Sequence, residues 1–357
     1  MTPLRICIIA SSRFPIREPF AGGLEAHTHA LATGLLDRGH DVSVFAAPGS
    51  DSRLRVTTLD VAPYASSAHA RADVGAPPEV WMREHHAYLS LMLALGAGAA
   101  RFDVIHNNSL HHLPVAMATS VGIPMVTTLH TPPTPWIESA MRFASPDARF
   151  VAVSRATADL WRPVVQPDVI HNGVDTEQWA AGPGGERAVW HGRLVPEKAP
   201  HLAMDAARRA GIPIDLAGPS YDREYFAAEI APRLGHDATY LGHLGTEDLC
   251  RLVGRSAVAL VTPVWDEPYG LVAAEAMACG TPVAAFARGG LGEIVAPPGG
   301  LLSPPGDVDA LASTLRRARR MPRAAVRAYA EDHLSIARMI DDYVATFARV
   351  AGAAQAA

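Results

Sequence analysis

The stretch Asp266–Ala285 reads DEPYGLVAAEAMACGTPVAA, and its two glutamates, Glu267 and Glu275, stand with seven residues between them. Pro268 closes a loop, so a helix is expected to begin near Gly270. The amides of Gly270, Leu271 and Val272 then have no carbonyl one turn back to bond. Free amides at the positive end of a helix dipole make a seat for a phosphate. Glu267 falls just outside that end, where its carboxylate can accept hydrogen bonds from sugar hydroxyls. Glu275 falls more than one turn inside, in the otherwise apolar run VAAEAMA. Ordinary helix-start acids would explain Glu267 but not Glu275, because a carboxylate among apolar neighbours is costly unless it is hydrogen-bonded. A second set of hydroxyls, as on a ribose, supplies such bonds.

Short apolar runs alternate with helical stretches on both sides of this segment. In the second half AVWHGRL, IDLAG, ATYLG, AVALVTPV and PVAAFA read as strands; in the first half RICIIA, DVSVFA, DVIHNN, PMVTTLH and RFVAVS do. Helical patterns lie between most of them, among them LEAHTHALATGLLDRG, which stops at Gly39. Alternating strand and helix gives parallel sheets covered on both faces. A chain of 357 residues exceeds what one core usually takes. The expectation is an α/β protein of two doubly wound, Rossmann-like domains, residues 1–170 and 171–334, joined through the glycine-rich Asn172–Ala188. Such sheets bind ligands beyond the carboxyl ends of their strands, and the other candidate residues fall there.

After the first strand no G-x-G-x-x-G follows, as a dinucleotide-binding dehydrogenase would need. Instead Gly22 and Gly23 precede a helix, where their backbone can approach an anion or simply form a flexible surface loop. After PMVTTL comes His130, able to face a cleft, donate a hydrogen bond and titrate near neutrality, or else to sit as a buried histidine satisfied by its neighbours. After AVWHG come Arg193 and Lys198, two cations at the end of a strand and the start of a helix, able to close on one diphosphate; a surface ion pair of Lys198 with Glu197 is the plainer alternative. Lys198 is the one lysine among 31 basic residues. A GC-rich genome explains the arginines, and chance survival or a need for a compact point charge explains the lysine.

Other chemistries find little support. The net charge of −5 argues against a nucleic-acid partner. Cys7, Cys250 and Cys279 are scattered, which fits a reducing cytosol and leaves no thiolate zinc site. The 16 histidines include no H-E-x-x-H, and Asp307 and Asp309 in DVD read as helix-start acids rather than metal ligands. No metal is therefore expected. No apolar run is long enough to span a bilayer, and RICIIA is too short for a signal peptide, so the expected location is cytoplasmic.

Together these motifs resemble the retaining GT-B glycosyltransferases of family 4, often named glycosyltransferase group 1. AGGLEAHTHALATGLLDRGHDVSVFA is similar to the family's N-terminal glycine loop and helix, VAVSRAT and VIHNGVD to its crossing between domains, and GRLVPEK and EPYGLVAAEAMACGTPVAA to its donor-site signatures. The resemblance implies two domains facing a central cleft, the first taking an acceptor and the second a nucleotide-sugar donor. It also implies that the final helix, residues 335–357, packs back on the first domain. Arg193 and Lys198 would bind the donor diphosphate, with Gly22 and Gly23 lining it from the opposite domain. Glu267, with the backbone of Tyr269 to Leu271, would hold the sugar, and Glu275 the ribose. Gly242, His243 and Leu244 would lie against the base, and His130 would reach the sugar or acceptor. Tyr269 departs from the family's usual phenylalanine, its hydroxyl left either to touch the donor or to face solvent. The nucleotide sugar is a substrate, so no cofactor is implied, and family frequency points to UDP. A GT-B-fold sugar-nucleotide 2-epimerase and a non-catalytic nucleotide-sugar-binding subunit remain as alternatives. Through Pro163 the chain carries 13 arginines and 13 acidic residues, without a basic, apolar membrane patch, which favours a soluble small-molecule acceptor.

Overall fold

The computed structural model describes residues 2–59, 64–98, 102–144 and 148–356. Two separate parallel sheets form, each ordered so that the chain reverses direction beside its first strand. The first contains β1 (Arg5–Ile9), β2 (Asp41–Ala46), β3 (Val56–Thr58), β4 (Val104–Asn107), β5 (Met125–Leu129), β6 (Arg149–Ala152) and β7 (Asp168–Val169), in the order β3-β2-β1-β4-β5-β6-β7. The second contains β8 (Ala188–His191), β9 (Ile214–Ala217), β10 (Ala238–Tyr240), β11 (Val258–Val261), β12 (Val283–Phe286) and β13 (Gly300–Ser303), in the order β10-β9-β8-β11-β12-β13. Both orders are those of dinucleotide-type doubly wound sheets, with the switch point between β1 and β4 and between β8 and β11.

The central strands are buried on both faces because helices cover both, and those of the second sheet are almost wholly apolar. Every residue of β4, β5, β8, β11 and β12 is buried. Three strands escape the sequence reading. β3 and β7 are short edge strands with exposed residues, and β13 begins at a glycine after PPG, which reads as a turn.

The chain passes between the sheets twice at one place. Gly173 lies so close to Ile336 that a Cβ on it would stand 2.4 Å from the Ile336 Cα, so only glycine lets the two crossings touch. The helix Arg323–His333 still belongs to the second domain, its Val326 and Ala330 buried against Met277. The helix Ile336–Ala356 then leaves it. Met339, Ile340, Tyr343, Val344, Phe347 and Val350 complete the first domain's core with Ile6, Ile8, Leu31 and Leu35. At its buried face Tyr343 Oη and Thr128 Oγ1 of β5 hydrogen-bond at 3.0 Å.

Candidate active site

A cavity of about 370 Å³ lies between the carboxyl ends of the two sheets. The second domain supplies most of its charge. β8 ends at His191, Gly192 and Arg193 follow it, and a tight turn, Pro196–Lys198, precedes the helix Pro200–Ala210. Between turn and helix Ala199 is buried and left-handed, with φ +46°. Thr262 Oγ1, just beyond β11, lies 3.0 Å from Ala199 O and 3.2 Å from Lys198 O, so the central strand fixes the turn that aims Lys198.

Lys198 Nζ donates to Glu267 Oε2 at 2.5 Å and lies 5.1 Å from the centroid of the Trp265 ring. Trp265 Nε1 donates to the same oxygen at 3.1 Å. The plainer alternative for Lys198 is thereby corrected: its partner is the buried Glu267, and Glu197 sits instead 3.9 Å from Arg193. Lys198 and Glu267, 69 residues apart, form one unit.

Gly270 caps the helix Leu271–Ala278 with φ +100°, and a Cβ there would lie 2.4 Å from Leu291 Cδ2. The first amide to reach back along the helix is that of Ala273, to Gly270 O at 2.9 Å. The amides of Gly270, Leu271 and Val272 precede it at the cavity wall. One turn further, Glu275 Oε2 pairs with His191 Nε2 at 3.0 Å, and His191 is buried. The pairing answers why a carboxylate survives in an apolar helix, and Glu275 still lines the cavity.

The first domain closes the cavity from across. A Cβ on Gly23 would stand 3.1 Å from Leu271 Cδ1, and one on Gly22 would stand 3.8 Å from Arg193 Nε, so the glycine pair abuts both donor-side motifs. His243 Nε2 donates across the gap to Phe20 O at 3.1 Å. His243 and Leu244 line the cavity; Gly242 does not, and instead accepts from Gly218 N in the turn behind them.

His130 stands at the end of β5, in the cavity wall. Its Nε2 bonds Asn108 Oδ1, while Asn108 Nδ2 donates to Thr28 Oγ1 at 2.5 Å and lies 3.3 Å from His27 Nδ1. The amide so oriented puts the His130 proton on Nε2 and leaves Nδ1 as an acceptor. Burial, with His27 and His106 nearby, holds the ring well below the usual histidine range. Of the two readings of His130, the satisfied histidine holds, and the one that titrates near neutrality and donates into the cleft is corrected. His130 is neutral, and its one N–H goes to Asn108.

Tyr269 requires a second correction. Its hydroxyl neither touches the cleft nor faces solvent: it is buried without a hydrogen-bond partner, and its ring lies 6.1 Å from that of His171 at the domain crossing. Only the Tyr269 backbone belongs to the loop between Glu267 and Gly270.

Several residues at the site carry no motif that singles them out. Trp265 and His191 adjoin the two signatures and orient Glu267 and Glu275. Glu25 is buried in the cavity wall; burial pushes its carboxyl up, opposed by Arg193 across the cleft. Glu293, behind the Glu267 loop, accepts from the amides of Arg155 at 3.0 Å and Ala156 at 2.7 Å and pairs with His171 Nε2 at 2.8 Å. One side chain of the second domain therefore fastens a helix start of the first. Asp307 Oδ1 accepts from Ala310 N at 2.9 Å, the helix cap expected of DVD.

Residues 21–178 match the family model for Glycosyltransferase Family 4, and residues 175–332 match that for Glycosyl transferases group 1. Glycogen synthase of Mycobacterium tuberculosis is 30% identical over 350 residues, spanning 86% of this chain and 84% of that one. D-inositol 3-phosphate glycosyltransferase of Mycolicibacterium smegmatis is 27% identical, spanning 98% of this chain and 92% of that one. Among solved structures, sucrose-phosphate synthase from Thermosynechococcus elongatus shares the fold with a TM-score of 0.79 at 21% identity, over 98% of this chain and 100% of that one. Anabaena HepE, in complex with UDP and glucose, does so with a TM-score of 0.74 at 19% identity, over 97% and 100%. Both family models are matched in order, and the fold is shared from end to end. The chain belongs to the group 1 glycosyltransferases of family 4, GT-B enzymes that take a nucleotide-sugar donor.

Proposed function

We propose that the chain moves a sugar from a UDP-sugar to a hydroxyl of a soluble small molecule, with retention of anomeric configuration and without a divalent metal. The observation that carries this reading is the convergence of Arg193, Lys198 and the Gly270–Val272 amides on one wall of the cleft, with Glu267 and Glu275 beside them. As the sugar–phosphate bond breaks, negative charge grows on the leaving diphosphate. Fixed cations and helix amides aimed at that charge stabilise it without reorganising. Lys198 has three donors, so it can hold Glu267 and still meet a phosphate oxygen. Glu267 accepts from the sugar hydroxyls, and Glu275, steadied by His191, accepts from the ribose. The glycine pair lets the first domain's backbone close over the diphosphate. Neutral His130 offers Nδ1 as an acceptor for a hydroxyl of sugar or acceptor.

Metal independence is supported by this supply of positive charge. Among the described residues no three His, Cys, Asp or Glu side chains group as a metal-ligand set. UDP is supported by Anabaena HepE, whose structure holds UDP and glucose. Retention is carried over from the family resemblance, with the acceptor attacking from the leaving-group face. The soluble acceptor is supported by the charge balance of the first domain; no helix among the described residues is long and apolar enough to cross a membrane.

The test begins with thermal shift in excess chelator across UDP-, GDP- and ADP-sugars, since a ligand stabilises the fold it binds. The expected result is stabilisation by UDP-sugars alone. Transfer to a panel of soluble hydroxyl acceptors is then followed, still in chelator, by the anomeric proton coupling of the first-formed product. Activity that returns only with magnesium or manganese overturns the metal-free reading, and an inverted anomer overturns retention.

A further inference from the structure

Behind the helix that carries Glu275, Cys250 Sγ and Cys279 Sγ lie 3.9 Å apart. Cys250 is half-buried on the helix Thr246–Gly254, and Cys279 is buried directly after the helix Leu271–Ala278. Their surroundings hold them in place. Cys250 Sγ lies 3.8 Å from Ala180 O in the linker, and Cys279 Sγ lies 3.9 Å from Cys250 O. The Arg323 guanidinium donates to the carbonyls of Gly182, Gly254, Ser256 and Cys279 at 2.8–3.2 Å. A cation, the linker and the ends of two helices thus meet at the two thiols. Nothing in the glycosyl-transfer chemistry uses them.

We propose that Cys250 and Cys279 are an oxidisable dithiol, a modification site that a peroxide converts to a disulfide. Cys250, the half-buried thiol, meets the oxidant. Its thiolate attacks one peroxide oxygen, the O–O bond breaks, and the other oxygen leaves as water once protonated. The Cys250 sulfenic acid so formed is within reach of one other sulfur. Cys279 displaces its hydroxyl: the S–S bond forms, the S–O bond breaks, and the hydroxyl leaves as a second water with the Cys279 proton. Two thiols give up two electrons and two protons, and hydrogen peroxide becomes two waters. Burial pushes the Cys279 thiol well up, and the Arg323 guanidinium opposes that shift. Cys279, buried where Cys250 is not, is therefore the resolving thiol and not the one oxidised first. Cys7, buried in β1 and likewise pushed up, stands apart as an internal control.

A disulfide spans about 2.05 Å between sulfurs, so closure shortens the 3.9 Å gap by nearly 2 Å through rotation of the two side chains together with whatever shift of the two helix ends that rotation leaves. Cys279 N bonds Glu275 O at 3.1 Å, so a shift of the Cys279 backbone has a direct path to the turn of helix that carries Glu275. In a reducing compartment such a bond is transient and regulatory.

The oxidation chemistry stands without the glycosyl-transfer reading, and its test does not use activity. The full chain is treated with hydrogen peroxide, denatured, and its free thiols are titrated. The three thiols should fall to one, with a peptide map joining Cys250 to Cys279 and dithiothreitol restoring all three. Cys250→Ser should keep both remaining thiols through the same treatment. Cys279→Ser should instead accumulate a Cys250 sulfenic acid that dimedone traps. Three surviving thiols, or Cys250 over-oxidised to sulfinate with Cys279 still free, would overturn the proposal. A severalfold weaker affinity of the oxidised chain for UDP, read by calorimetry, would extend it to the cleft.

Discussion

Lys198→Ala removes the cation that pairs with Glu267 and lines the cleft. Two effects are expected. On the proposed reading the ammonium meets the leaving diphosphate as it gains charge, and deleting one preorganised donor of this kind costs about 2.7–4 kcal/mol, or about 10²–10³ in kcat. The second effect falls on Glu267, which loses its 2.5 Å partner and keeps only the Trp265 N–H at 3.1 Å. The Lys198 and Glu267 side chains are 24% and 10% exposed. The pair thus lies between an open surface pair, worth about 0–1 kcal/mol, and a fully buried one, whose breakage costs about 3–5 kcal/mol. A stability loss of about 1–2 kcal/mol follows. Urea unfolding reads that loss, and steady-state transfer from UDP-glucose reads the first effect under conditions where the variant is folded. Glu267→Gln alone and combined with Lys198→Ala completes a double-mutant cycle, and the two changes should fall well short of additive. Lys198→Arg keeps the charge but replaces a compact group with a planar fork between Glu267 and the Trp265 ring, so about a tenfold loss is expected. Wild-type kcat/KM in a folded Lys198→Ala would refute the charge argument. Wild-type kcat/KM in Lys198→Arg would refute only the argument from shape.

Glu275→Gln keeps size and removes charge; UDP affinity by calorimetry should fall about tenfold, near 1.4 kcal/mol, with the melting temperature little changed, and an unaltered affinity would take Glu275 off the ribose. Gly270→Ala forces an L-residue to φ +100° and pushes a Cβ to 2.4 Å from Leu291 Cδ2, so a loss of at least about 1–2 kcal/mol in urea unfolding is expected, and an unmoved midpoint would contradict the geometry. Burial holds His27 at about 4 and His106 at about 3, and burial with both neighbours holds His130 well below its usual range. The unfolded chain then takes up these protons first, so stability is complete above about pH 6.5 and falls below it, by up to about 1.4 kcal/mol per pH unit for each histidine. Between pH 7.5 and 5, His130→Gln should show the shallower fall, and equal slopes would show that His130 does not titrate in the unfolded chain alone.

What the sequence made legible was whatever carried its own contradiction. Glu275 in VAAEAMA has no bland explanation, and the structure supplies a buried histidine as its partner. Lys198, alone among 31 basic residues, proves to be tied to the other glutamate of the site. The long strands were equally plain, because a sheet covered on both faces needs uninterrupted apolar runs such as VALV and VAAF. β3 and β7 were not, since an edge strand of two or three residues has too few positions to show a period. The protonation of His130 was also out of reach. It depends on His27 and His106, which come from another helix and another strand.

The acids show most clearly where the reading stops. Glu25, Glu293 and Asp309 each fall in the first turn of a helix, and nothing local distinguishes them. All three suit the helix dipole. Folded, the Asp309 side chain is 84% exposed beside Arg209, while Glu25 is buried in the cleft wall facing Arg193. Glu293 reaches out of its own domain to two amides at the start of the helix Arg155–Trp161 and to His171. The partners that separate these cases lie far away in the chain, 138 residues in the case of Glu293 and Arg155. A motif records what a residue does for its own turn of helix. What Glu25 and Glu293 do is decided by the facing domain, so their roles become visible only when the second sheet is set against the first.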